Sequence, residues 1–216
     1  MPDDPIPVPS TSGKPSPLTA ADADATFEVE PDEELVEESE LDPETAARRA
    51  AALAHVRKFG DPVLRTRARA VQQFDRALST EVARMGELMG DALGVGLAAT
   101  QLGVLHRLLV YRVQQDAPVS ALVNPEIEWA GRDLETMEEG CLSLPGVLVD
   151  VERPIHVRVR ALDQRGERIL VEASGLEARV IQHEIDHLDG VLILDRTSRE
   201  QRKEAIRVLR EAEQAA

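Results

Sequence analysis

The chain has 216 residues, with 40 Asp and Glu against 25 Lys and Arg. That length suits one good-sized domain with an appendage, and no apolar run approaches the roughly 20 residues that span a bilayer. Three Phe, one Trp and one Tyr make up all the aromatics, so the core must be aliphatic and a stacking platform for single-stranded nucleic acid is excluded.

The charge is concentrated at the start. Residues 1–44 hold fourteen Asp or Glu against Lys14 alone, a net −13 of the total −15, so residues 45–216 carry only −2. Eight of the thirteen prolines also lie in residues 1–43. Acidic repulsion and low apolar content leave little to offset the entropy of ordering. Residues 1–43 are therefore expected to be a disordered acidic tail, and residues 44–216 the folded domain. The opening residues have neither the basic and apolar regions of a secretory signal nor the Arg-rich, acid-poor character of a transit peptide. A single cysteine, Cys141, permits no intrachain disulfide and fits a reducing compartment. A soluble cytoplasmic protein is the expectation.

Asp42-Pro43-Glu44-Thr45 is a helix start, with Asp42 as cap and Pro43 in the first turn, for a helix to about His55. Gly60-Asp61-Pro62-Val63-Leu64 reads as a turn. Residues 76–92 have helical spacing, with Leu78, Val82, Met85, Leu88, Met89 and Leu93 on one side. Gly94-Val95-Gly96-Leu97-Ala98-Ala99-Thr100-Gln101 reads as a loop. Six strands are predicted: Leu108–Val113, Val119–Asn124, Ile127–Ala130, Val147–Val151, Val157–Leu162 and Arg168–Ala173. A helix over Leu176–Leu188 stops at Gly190, and residues 198–214 form a last amphipathic helix capped by Ser198. The fold class is α+β: short mixed or antiparallel β-sheets packed around a central helix, with a C-terminal helix.

That central helix carries Gln182-His183-Glu184-Ile185-Asp186-His187. Positions four apart stand one above the other on a helix, so His183 and His187 can hold one metal ion. Glu184 can then handle a proton on water at that ion. Ile181, Ile185 and Leu188 bury the helix, and buried imidazoles without partners would be costly. The third ligand must come from elsewhere. Extended zincin motifs place a histidine six residues after the second; here it is Ile193, which cannot ligate. A downstream glutamate, Glu204 or Glu211, would fit another zincin pattern but sits on the charged terminal helix. Cys141 is the better candidate, in the turn-rich Glu138-Glu139-Gly140-Cys141-Leu142-Ser143-Leu144-Pro145-Gly146. A thiolate and two imidazoles leave a fourth position open, as catalytic sites do.

Gly94–Gln101, Glu139-Gly140-Cys141-Leu142-Ser143 and Gln182–His187 together resemble the three signature motifs of peptide deformylases, in that family's order. The likeness covers roughly residues 55–195, includes Gly60-Asp61-Pro62-Val63-Leu64, and extends to the helical ending of one branch. It implies Cys141, His183 and His187 as metal ligands and Glu184 as general acid and base. It also implies Gln101 and the Leu142 N–H as donors to a developing oxyanion. The implied cofactor is one divalent ion, Fe(II) with zinc or nickel as replacements, and the implied substrates are N-formylmethionyl nascent peptides. Under this reading the missing β-carbons of Gly94 and Gly96 let a peptide approach. Val95, Leu142, Leu176 and Val180 are candidates for the methionine pocket, with core packing as the alternative for each.

Asp186 is expected to orient a ligand or meet Arg153, a surface ion pair being the plainer alternative. Arg199, Arg202, Lys203, Arg207 and Arg210 on the terminal helix suggest ribosome contact, against a solvated face balanced by glutamates. No membrane or sequence-specific nucleic-acid partner is expected. The competing readings are an HExxH metalloprotease or amidase and a metal-binding protein without activity.

Overall fold

The computed structural model describes residues 41–215. The expected tail lies outside the described residues except for its last three, which cap and begin the first helix. Helix α1, Pro43–Leu53, starts where Asp42 accepts hydrogen bonds from the Glu44 and Thr45 N–H groups at 3.1 and 3.0 Å. Pro43 stands at a position where its missing N–H is no loss. A 3-10 turn, Pro62–Arg65, is capped by Asp61 through the Val63 N–H at 2.9 Å. Helix α2, Arg76–Asp91, begins at Asp75 and buries Leu78, Val82, Met85 and Met89. Leu93 does not join that face. It falls past the helix end with φ 58° and is 51% exposed.

The strands follow as β1 (Gly96–Ala98), β2 (Leu108–Tyr111), β3 (Ser120–Ala130), β4 (Leu134–Cys141), β5 (Leu144–Pro154), β6 (His156–Leu162) and β7 (Arg168–Ser174). They form a five-stranded sheet in the order β1-β2-β3-β6-β7 and a separate β4–β5 hairpin, with every strand pairing antiparallel. Helix α3, Gly175–Leu188, packs against both sheets. Helix α4, Arg199–Ala215, follows a 3-10 turn at Ile193–Asp195 and lies on β5. Ser198 Oγ accepts from the Gln201 N–H at 3.2 Å, as a cap does.

Three expectations need correction. The stretch Gly94–Gln101 is not simply a loop: it contains β1 and a 3-10 turn, Ala99–Leu102. Three residues are too few for a period to show, yet Leu97 and Ala98 are fully buried and paired with β2. The two strands expected over 119–130 are one, β3. It is kinked by register shifts between Val123 and Glu126 and between Ile127 and Trp129. Asn124 takes φ 53° there and exchanges hydrogen bonds with the Val71 backbone. Third, the acidic stretch Leu134–Cys141 is a strand, β4, which its mostly exposed and charged residues conceal.

The core is aliphatic, as composition demands. Val157, Val159, Ile181, Ile185 and Leu188 fill the space between α3 and the large sheet. Met85, Met89, Leu97, Leu108 and Val110 fill that beneath α2. Val147, Val149, Val151, Leu192 and Leu209 pack the hairpin against α4. Full burial of each such side chain contributes about 1.5–3 kcal/mol. At the end of α3, Gly190 has φ 74°, and a β-carbon there would meet Arg65 O at 2.7 Å.

Candidate metal centre

His183 and His187 stand one turn apart on α3, with ring centroids 5.0 Å apart and planes at 69°. Cys141 reaches them from the end of β4, its Sγ 3.2 Å from His187 Nε2. The hairpin register shifts between Gly140 and Cys141. Such an irregularity re-aims a side chain out of the ladder. One ligand atom from each of Cys141, His183 and His187 lies within 4.8 Å of the others, comparable to the span of bonds of roughly 2.0–2.3 Å to a shared ion. Glu204 and Glu211 are not there. Both are bonded to Arg207 on the exposed side of α4.

Glu184 is buried beside the cluster. Its Oε1 lies where a β-carbon on Gly96 would stand, at 2.5 Å, with Val180 Cγ1 at 2.9 Å from the same point. Gly96 therefore makes room for the carboxylate itself, a nearer reason for glycine than peptide approach. Val180 lies next to Glu184 and Gly96. Leu142 turns toward Gly94, whose β-carbon would meet Leu142 Cδ1 at 3.1 Å. Val95 and Leu176 are partly buried against the cluster under α3.

The Ala99–Leu102 turn carries Gln101, which is also buried. Its Oε1 accepts from the Ala98 N–H at 2.9 Å. Its Nε2 donates to Ser143 Oγ at 3.3 Å and lies 3.8 Å from Cys141 Sγ. With the carbonyl end anchored, the amide N–H₂ faces the centre. Thr100 Oγ1 donates to His187 O at 3.2 Å and ties this turn to α3.

A buried charge network lies behind His183. Glu139 Oε2 is 3.0 Å from His183 Nδ1. The same carboxylate accepts from Arg153 at 2.6 and 2.9 Å and from Arg179 at 2.8 Å. Arg153 also donates to Asp186 at 2.9 Å, and Asp186 accepts from Arg196. The expected Arg153–Asp186 pair thus exists and is buried, not a surface pair. Asp186 is joined to the imidazole of His183 only through Arg153 and Glu139. Sequence reasoning assigned no role to Glu139 or Arg179. The nearest signal was an acid two residues before the cysteine, and no spacing rule ties it to a histidine 44 residues on.

Electrostatics follow from this arrangement. Burial would raise the Glu139 carboxyl, but its bonds to His183 and Arg153 hold it far below the usual range. Burial pushes the Glu184 carboxyl up to about 7, against the opposing charge of His183. Burial drives the His187 imidazole well below its ordinary value, and the charges of His183 and Arg153 add to that. His183 is shifted the other way: burial opposes its charged form, but its bonds to Cys141 and Glu139 raise the imidazole well above its ordinary value. A neutral imidazole is the form that binds metals, so an ion held there would take the place of the proton on the nitrogen facing Cys141.

The donor set fits a divalent ion. Sulfur with two imidazoles suits several first-row metals. Among the described residues, Glu184 Oε2 and His187 Nδ1 are buried with no hydrogen-bond partner. A buried carboxylate oxygen left so is costly, and water on an ion held by Cys141, His183 and His187 would supply the missing donor to Glu184.

A model of the family described as "Polypeptide deformylase" matches residues 53–203. Among curated proteins, the peptide deformylase of Acidothermus cellulolyticus is 47% identical over 164 residues, 76% of this chain and 89% of that protein. That of Thermotoga neapolitana is 52% identical over 141 residues, 65% of this chain and 85% of that one. The crystal structure of a Synechococcus elongatus peptide deformylase in complex with actinonin superposes with a TM-score of 0.68 at 44% identity, covering 70% of this chain and 84% of that one. The Thermotoga maritima peptide deformylase gives 0.64 at 47% identity, covering 66% and 96%.

Proposed function

Since this chain belongs to the polypeptide deformylase family, we propose that Cys141, His183 and His187 hold its metal and that Glu184 moves the protons of its reaction. The enzyme is a metal-dependent hydrolase that removes the N-terminal formyl group from nascent peptides, releasing formate. The observation that supports the residue assignment is the buried Oε2 of Glu184, without a hydrogen-bond partner among the described residues, beside the Cys-His-His donors. A divalent ion bound there lowers the pKa of water and polarises a carbonyl.

The chain's own groups do the rest. Glu184 accepts a proton from the attacking water and returns it to the departing amine. Gln101 Nε2 and the Leu142 N–H donate to the oxygen of the formyl group as charge develops on it. Glu139 keeps the proton of His183 on Nδ1, which turns Nε2 toward the ion and fixes the ring. Gly96, Val95, Leu142, Leu176 and Val180 line the approach of the N-terminal methionine. Fe(II) is the native ion, with zinc or nickel as replacements.

The catalytic domain is residues 44–216, and the acidic stretch 1–43 is dispensable for turnover. Among the described residues no helix is long and apolar enough to cross a membrane, and a cytoplasmic location suits a nascent-chain substrate. Helix α4 is the candidate contact to the ribosome. Arg202 and Arg207 are engaged by Asp195, Glu204 and Glu211, while Arg199, Lys203 and Arg210 stand exposed. Salt-dependent ribosome binding weakened by charge reversal at those three supports the contact.

The deciding assay is formate release from formyl-Met-Ala-Ser by anaerobically prepared protein with its metal content measured. Turnover that tracks one ion per chain, and stops with a chelator, is expected. Turnover unaffected by removal of the ion overturns the assignment.

A further inference from the structure

The 3-10 turn bearing Gln101 and the loop bearing Leu142 come from distant parts of the chain, yet one short segment binds both. The Arg57 N–H donates to Gln101 O at 2.7 Å, and the Phe59 N–H donates to Ser143 O at 2.9 Å. Between them, Lys58 Nζ donates to Leu142 O at 3.0 Å. Arg57 also lies close over the end of the turn: a β-carbon on Gly103 would meet its Nε at 2.8 Å.

These ties matter because of what is behind the turn. An open cavity of about 550 Å³ lies beside it, with Ala99, Leu102, Met85 and Lys58 in its walls. Ala99 and Leu102 pack against the core beneath α2, but apolar contacts are non-directional. Directional bonds add the orientation that packing leaves loose, and an error of about 1 Å in a catalytic donor can cost 10²-fold in rate.

We propose that residues 57–59 form a strap that sets the two oxyanion donors at a fixed separation, with Lys58 as a positioning residue. The proposal rests on Gln101 and Leu142 being those donors. Any residues at 57 and 59 other than proline could supply the two backbone bonds. The bond to Leu142 O needs a long side chain that ends in a donor, so it is the part of the strap written in the sequence. Being charge-assisted, it is also the stronger kind of bond. Lys58 acts through the backbone: it holds the peptide unit after Leu142, and through it limits how the Leu142 N–H can swing.

The test compares K58M, K58R and Q101A in the full-length, metal-loaded enzyme by formate release. Removing an oxyanion donor costs about 10²–10³-fold in kcat, and misaiming one costs less. K58M should therefore lower kcat roughly 10-fold, with KM and metal content unchanged. K58R, which can reach the same carbonyl, should restore most of it. Normal kcat in K58M beside an impaired Q101A overturns the strap and leaves the oxyanion assignment standing. Normal kcat in Q101A removes that assignment, and the strap with it. A loss in K58M that arginine does not relieve, or that comes with loss of metal, also overturns the proposal.

Discussion

His183 and His187 share one face of α3, but their second nitrogens have opposite surroundings. His183 Nδ1 meets Glu139, itself gripped by Arg153 and Arg179 and linked through Arg153 to Asp186 and Arg196. His187 Nδ1 and the neighbouring Glu184 Oε2 have no hydrogen-bond partner among the described residues. One side of the centre is braced by a buried lattice of paired charges, and the other is left with open valences. Bracing fixes a tautomer and a ring angle, which a ligand needs. A fully bonded carboxylate could not accept a proton from water, so Glu184 must keep an oxygen free. Stability and chemistry are thus separated within one helical turn.

That division can be broken experimentally, most severely on the open side. Glu184→Ala should lower kcat by about 10²–10⁴-fold with metal retained. If metal leaves with the activity, the two sides are not independent. Gly96→Ala should come next, at roughly 10²-fold in kcat, because the new methyl group takes the space of Glu184 Oε1. Normal turnover would show that Glu184 works from another position. On the braced side the loss should appear in the ion instead. Glu139→Gln should weaken metal affinity by about 10–100-fold, read by competition with a chelator. Recovery of kcat at saturating metal would sharpen the contrast.

The smallest effect lies at the start of α3, away from the ion. Tyr111 OH donates to Glu177 Oε1 at 3.0 Å. Burial and then the Glu177 charge raise the Tyr111 phenol from 10.0 to about 12. A raised pKa favours the protonated form in the fold. This contribution to stability is therefore complete below about pH 10 and lost as pH rises through about 12. Tyr111 is the one tyrosine in the chain, so tyrosinate absorbance reports it directly. Glu177→Gln should lower that midpoint and leave kcat unchanged. A midpoint near 10 in the intact protein would show that Tyr111 is not held as described.

Legibility followed distance along the chain. The caps Asp42 and Ser198, the buried face of α2 up to Met89 and the histidine pair all depend on neighbours within about four residues, and each stands where local spacing puts it. Cys141 is the better candidate for a third ligand by residue type, and the likeness to the family's motif implies that role. Its geometry, however, depends on a bulge in a strand whose acidic residues gave no alternation to read. β1 stayed hidden because it is three residues long, and the kink in β3 because its Asn124 bonds belong to Val71, 53 residues away.

The amino-acid order by itself determined that His183 and His187 face one way with Glu184 beside them, because helical geometry makes a four-residue spacing a contact. It also determined an aliphatic core and an acidic first fifth, which are matters of composition. Only the tertiary structure decided that Glu139 braces His183, that Gly96 cedes its space to Glu184, and that residues 57–59 tie Gln101 to Leu142. Each of those contacts closes a long loop. No short-range period marks such a pair, and the partner is selected only when the sheets and α3 have packed.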